Sequence, residues 1–129
     1  MFNRPKGFTL VEIMIVVAIL ALLAAVLIPN LMRGRLTAND TSAKATLKSI
    51  STALESYMAV NGDYPTTTTA LLGDTPPYLN QDYFAGQHNG FQFSAALSTG
   101  SYTISASPLS SNQGTGTFTI STGGILTAP

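Results

Sequence analysis

Residues 8–28, FTLVEIMIVVAILALLAAVLI, form an apolar run broken by one charge, Glu12. At about 1.5 Å per residue such a run makes roughly 30 Å of helix, enough to cross a bilayer. A buried core helix is excluded, because the remaining chain is too short to cover an all-apolar helix on every side. A secretory signal peptide is the stronger rival, since MFNRPKG ahead of the run supplies Arg4 and Lys6 as a basic leader. Against it, the run is longer than such signals require and passes directly into more helical sequence. The expectation is a retained membrane segment. Its orientation is left open, because Arg4 and Lys6 before the span are matched by Arg33 and Arg35 after it.

Past the span, Pro29 cannot donate to the carbonyl of Ala25, and a proline inside a helix costs about 3 kcal/mol. Gly34 costs about 1 kcal/mol more than alanine would. The helix is therefore weakest between Ala25 and Gly34, which reads as either a kink or an end. Continuation is favoured by Leu36, Ala43, Leu47, Ile50, Leu54 and Tyr57, which make one apolar stripe at helical spacing. Asn61-Gly62-Asp63-Tyr64-Pro65 closes the helix, as glycine suits the left-handed residue after a helix and proline cannot continue one. Residues 66–90 are rich in turn formers, with one short helix expected around Thr68 to Leu72 and a threonine run suited to capping it.

From Phe91 the apolar period changes to two. Phe91, Phe93, Ala95 and Leu97 share one face, Ser98-Thr99-Gly100 turns the chain, and Tyr102, Ile104 and Ala106 repeat the pattern. Phe118 and Ile120 mark a third strand, and Gly123-Gly124 turns toward Ile125 and Leu126. The fold class expected is α+β: a long N-terminal helix, part membrane span and part amphipathic, packed on an antiparallel sheet of three to four strands. The segments are 1–7 as leader, 8–29 as transmembrane and filament-core helix, 30–61 as amphipathic helix, 62–90 as connecting loop and 91–129 as sheet.

Composition removes several function classes. Six bases against six acids give no net charge, so a general nucleic-acid coat is excluded for want of a basic excess. With no cysteine there is neither a disulfide framework nor a thiolate metal site. The one histidine, His88, lies in a Gln-His-Asn-Gly stretch that reads as an exposed loop, and no serine sits in a nucleophile elbow. No phosphate-cradling glycine motif occurs. No catalytic, metal or cofactor residue is therefore assigned, and the chain reads as a non-enzyme. Arg33, Arg35, Lys44 and Lys48 are too thin a footprint for DNA; headgroup contact, or pairing with Asp40 or Glu55 across subunits, is more economical.

The string KGFTLVEIMIVVAILALLAAVLIPN resembles the N-terminus of the prepilins of type IV pili and of type II secretion pseudopili. It combines a short basic leader, glycine before phenylalanine, one acid at a fixed place and otherwise unbroken apolarity. The resemblance implies that a prepilin peptidase cuts after Gly7, that Phe8 becomes the N-methylated first residue, and that Glu12 is needed for assembly. The G-x-Y-P string at residues 62–65 is similar to the close of the long pilin helix, and the C-terminal strands resemble the family's sheet more loosely. Two departures matter. The chain cannot form the C-terminal disulfide of many pilins, and it has no carboxylate after Asp82 for the calcium loop typical of major pseudopilins. The second favours a type IV pilus subunit, with a type II secretion pseudopilin as the alternative. A monomeric membrane-anchored extracytoplasmic binding module is the rival from another class.

A carboxylate within hydrocarbon is costly unless paired. Cleavage after Gly7 would create an ammonium at Phe8, four residues from Glu12 on one helical face. Its partner is either the subunit's own amine or that of a neighbour, and the second is favoured because it would fix register. A solvated or protonated Glu12 near the interface is the plain alternative. The partners implied are further copies of the chain, other pilins, the peptidase, an inner-membrane assembly platform and the membrane. The localisation implied is a single-pass inner-membrane precursor and an extracellular or periplasmic filament.

Overall fold

The computed structural model describes residues 6–129. Most of the expected leader, residues 1–5, lies outside the described residues, which include only its Lys6 and Gly7. Two compact units divide the chain, Met1–Gly34 and Arg35–Pro129. Helix α1, Leu10–Asn61, contributes to both and contains Pro29.

In the first unit the helix is clothed in apolar side chains with nothing over them. Every large one from Phe8 to Met32 is at least half exposed, from 51% at Ile13 to 86% at Phe8. An 18-residue window of this helix has a mean hydropathy of 3.1, long and apolar enough to cross a membrane. Pro29 and Gly34 both fall within α1. Beside Pro29, the Asn30 side chain donates to the Val26 carbonyl at 3.2 Å, one residue along from the Ala25 carbonyl that the proline cannot serve.

The second unit is a helix laid on a sheet. Ala43, Leu47, Ile50, Ala53 and Leu54 of α1 are buried against Phe91, Phe93, Tyr102, Ile104, Ala106, Phe118 and Ile120 in one core. The expected stripe is present, and Asp40 occupies its missing step between Leu36 and Ala43, buried to 7% exposure. Steps of four and three from Leu36 through Asp40 to Ala43 place that carboxylate on the core-facing side. Helix α1 ends at Asn61, where Gly62 takes φ +86° and its N–H donates to the Met58 carbonyl at 2.8 Å. This is the left-handed close that the glycine permits.

Helix α2, Ala70–Gly73, is a single turn whose Leu71 plugs the core. The Thr69 hydroxyl makes no cap to it and donates to Thr67 instead, so the threonine run does not act as the expected side-chain cap. The sheet has five antiparallel strands in the order β1-β2-β3-β4-β5, more than the three to four expected. They are β1 Gln87–His88, β2 Phe91–Ser98, β3 Ser101–Pro108, β4 Phe118–Ser121 and β5 Ile125–Thr127. The additional strand is β1, drawn from the segment read as loop; two residues are too few to show alternation.

Register puts the apolar set on one face. Phe93 stands opposite Ala106, Ala106 opposite Phe118, and Ile104 opposite Ile120. The two-residue turn Thr99-Gly100 joins β2 to β3, since Ser98 pairs with Ser101. Gly123 and Gly124 both take positive φ, 83° and 74°, where the chain turns from β4 into β5.

Candidate functional site

The residues expected to carry assembly gather where α1 begins. Gly7 and Phe8 are exposed and precede the helix, which leaves the peptide bond between them accessible. Thr9 then acts as N-cap. Its backbone N–H donates to Glu12 Oε2 at 2.8 Å, and the Glu12 N–H donates to Thr9 Oγ1 at 3.2 Å. This reciprocal pair is a capping box, in which two of the helix's unpaired N–H groups each meet a side-chain oxygen. The signal is present in the sequence as Thr-x-x-Glu, the spacing of a capping box. With Gly7 and Phe8 joined, the Phe8 nitrogen is an amide and carries no charge, so Glu12 finds its partner in Thr9.

A second polar cluster fixes the head. From α1, Glu55 accepts from Tyr102 Oη at 2.9 Å, Tyr64 Oη at 3.0 Å and the Gly123 N–H at 3.0 Å. With the Tyr102 proton given to Glu55, the Ser51 hydroxyl donates to the Tyr102 oxygen at 2.8 Å. The rings of Tyr64 and Tyr102 meet edge to face with centroids 5.0 Å apart. Burial pushes the Glu55 pKa up, but the bonds from Tyr102, Tyr64 and Gly123 outweigh it and the net shift is downward. Tyr64 and Tyr102 are both raised, by burial first and in each case by the hydrogen bond to Glu55 and its charge.

A third cluster fastens the segment between β3 and β4. Asp40 accepts from the Thr115 N–H at 3.0 Å and the Thr115 hydroxyl at 2.7 Å, while Asn39 donates to the Gln113 carbonyl at 2.9 Å. Asn89 reaches Ser42 at 2.6 Å. The two carboxylates considered for pairing between subunits, Asp40 and Glu55, are thus both engaged inside the head. The reason is geometric: each sits on the core-facing side of α1, where the partners in reach are tyrosine and threonine groups of the sheet and its loops. Lys44 lies over the Phe118 ring, 4.6 Å from its centroid.

His88 is half-buried and not the exposed loop residue expected. It stands in β1 edge-on to Tyr83, with Phe93 beside it at 6.3 Å, and its Nε2 is shut from solvent without a hydrogen-bond partner among the described residues. Among the described residues, no three histidine, aspartate or glutamate side chains gather as metal ligands would.

Comparison with known proteins bears on this geometry at both ends of the chain. Residues 2–28 match the prokaryotic N-terminal methylation motif. Over 110 residues the chain is 37% identical to the type IV wide pilus major component PilA4 of Thermus thermophilus, covering 82% of this chain and 84% of that one. The chain belongs to the type IV pilin and pseudopilin family. Two further family members cover less. The type II secretion system core protein G of Pseudomonas aeruginosa is 46% identical over 69 residues, 54% of this chain and 49% of that protein. The type IV major pilin protein PilA of Myxococcus xanthus is 36% identical over 99 residues, 74% of this chain and 40% of its own. The chain thus spans about half or less of these two relatives. This chain carries both an exposed apolar helix and a small α+β head.

Proposed function

We propose that this chain is the structural subunit of a type IV pilus filament, made as a prepilin. The observation that carries the reading is the uncovered apolar surface of α1, exposed from Leu10 to Met32. Left in water, such a surface is strongly unfavourable at about 25 cal/mol for each Å² of apolar area. It needs a solvent of its own kind. Lipid serves the precursor, anchored as a single-pass protein of the inner membrane with its head outside the cytoplasm. Other copies of the same helix serve the filament, with an inner-membrane assembly platform moving the subunit from one to the other.

In this reading a prepilin peptidase removes residues 1–7 after Gly7, and Phe8 becomes the N-methylated first residue. The ammonium so created gives Glu12 a charged partner on a neighbouring copy, and that pair sets the register of packing. Pro29 and Gly34 supply a weak stretch at which the helix can kink on assembly. Support for a pilus over a secretion pseudopilus comes from the extent of similarity, 82% of the chain to the Thermus pilus component against 54% to the secretion core protein G.

The test is mass spectrometry of fibres sheared from cells. A chain beginning at Phe8 with one added methyl group is expected. A chain that keeps Met1, or that is cut after the span, would return the protein to the rival role of anchored binding module.

A further inference from the structure

The charges of the head are sorted along its length. Several are already committed within it: Asp40 and Glu55 to hydrogen bonds, Lys44 to the Phe118 ring, and Asp82 to the Phe84 N–H at 2.9 Å. Four exposed ones have no ion pair or hydrogen bond through their charged groups among the described residues: Arg35, Lys48, Asp63 and Asp74. Both bases stand on α1 before its final turns. Both acids follow its C-terminal end in the chain. Asp63 follows Asn61 by two residues. Asp74 follows α2 in a loop that Tyr78 fixes beside the same end, its ring 5.3 Å from that of Tyr57.

Along a helix rising about 1.5 Å per residue, Arg35 is roughly 39 Å and Lys48 roughly 20 Å short of Asn61. Those separations exceed the screening length of about 8 Å at physiological salt, so the two signs do not neutralise each other within one molecule. We propose that the Asp63 and Asp74 end of one head docks on the Arg35 and Lys48 region of a second copy of this chain. This rests on the filament reading above and adds to it the joint between heads. The two surfaces differ and lie apart along the head, so the contact is heterologous and repeats without closing. Opposite charge at the rim of such a joint sets register and speeds encounter more than it adds affinity.

The experiment is charge reversal in the full chain, read as the yield of sheared fibres with precursor levels measured alongside. Arg35→Glu with Lys48→Glu, and separately Asp63→Lys with Asp74→Lys, should each lower the yield roughly tenfold, and the four changes together should restore it to within about twofold of the original. Circular dichroism melts of the variants check that the heads still fold. Doubles that assemble like the parent, or a quadruple variant no better than the doubles, would overturn the joint while leaving the filament reading intact. Loss on reversing the bases alone, with the acid reversal neutral, would assign Arg35 and Lys48 to an anionic lipid surface and also overturn it. A parent chain that makes no fibre would remove the filament reading, and this joint with it.

Discussion

Single residues decide how the head is held and how it responds to pH. Glu55 joins three separate stretches of chain, because its two oxygens receive Tyr64, Tyr102 and the Gly123 N–H. Its pKa in the folded head lies below the ordinary 4.5, so its contribution is complete above that value and is lost as pH falls below it. Tyr64 and Tyr102 have the opposite sense. Raised above 10.0, they stabilise the head below that pH and cease to as pH climbs past it. Glu55→Gln is expected to lower stability at neutral pH by about 1–2 kcal/mol and to flatten the acid-side decline in melting temperature. An unchanged acid decline would show that other carboxylates govern it. Gly114 supplies a packing test. A methyl group there would run into Phe91 Cζ and Cε2 and stand 2.9 Å from Pro108 Cβ. Gly114→Ala should therefore cost about 1–3 kcal/mol in denaturant unfolding, through displacement of a fully buried ring.

At the scale of elements, local patterns were legible and distant pairings were not. The apolar stripe of α1, the helix close at Gly62, the Thr99-Gly100 hairpin and the Gly123-Gly124 turn all follow from spacing or from a residue's own backbone preference. Strand β1 did not, since Gln87 and His88 owe their state to pairing with Gln92 and Phe91 rather than to any pattern of their own. Asp40 was legible only as a gap, a step of seven in a stripe that otherwise moves by three and four. Its partner Thr115 lies 75 residues away, and Glu55 reaches Tyr102 across 47 and Gly123 across 68. No periodicity carries such information. The residue proposed for assembly divides in the same way: Glu12 stands out as an acid among apolar residues, while its bond to Thr9 is legible only as a helix-start pattern. Pro29 and Gly34 allow a prediction about α1 itself. Replacing both by alanine should raise helicity in detergent micelles, since the penalties removed are about 3 and 1 kcal/mol. Equal far-ultraviolet circular dichroism before and after would mean that the weak stretch is already fully helical there.

For the whole molecule, the division at Gly34 separates an uncovered apolar helix from a unit with its own core. The unit Arg35–Pro129 has its own core, including Leu47, Ile50, Leu54, Phe91 and Ile104 at 0% exposure. A fragment beginning at Arg35 is expected to stay monomeric in plain buffer and to melt cooperatively, as calorimetry and sedimentation would report. Leu54→Ala in that fragment should cost about 2–5 kcal/mol, because nothing nearby can collapse freely into the space left. Aggregation of the fragment at all concentrations would mean that the head depends on the segment before it. The C-terminal half of this head is tied to α1 by hydrogen bonds from Asn39, to Asp40 and to Glu55, in a chain that has no cysteine. Maturation of the head consequently calls for no oxidant and no thiol isomerase. Strong reductant leaves its fastenings untouched, whereas acid slackens the one that Glu55 makes.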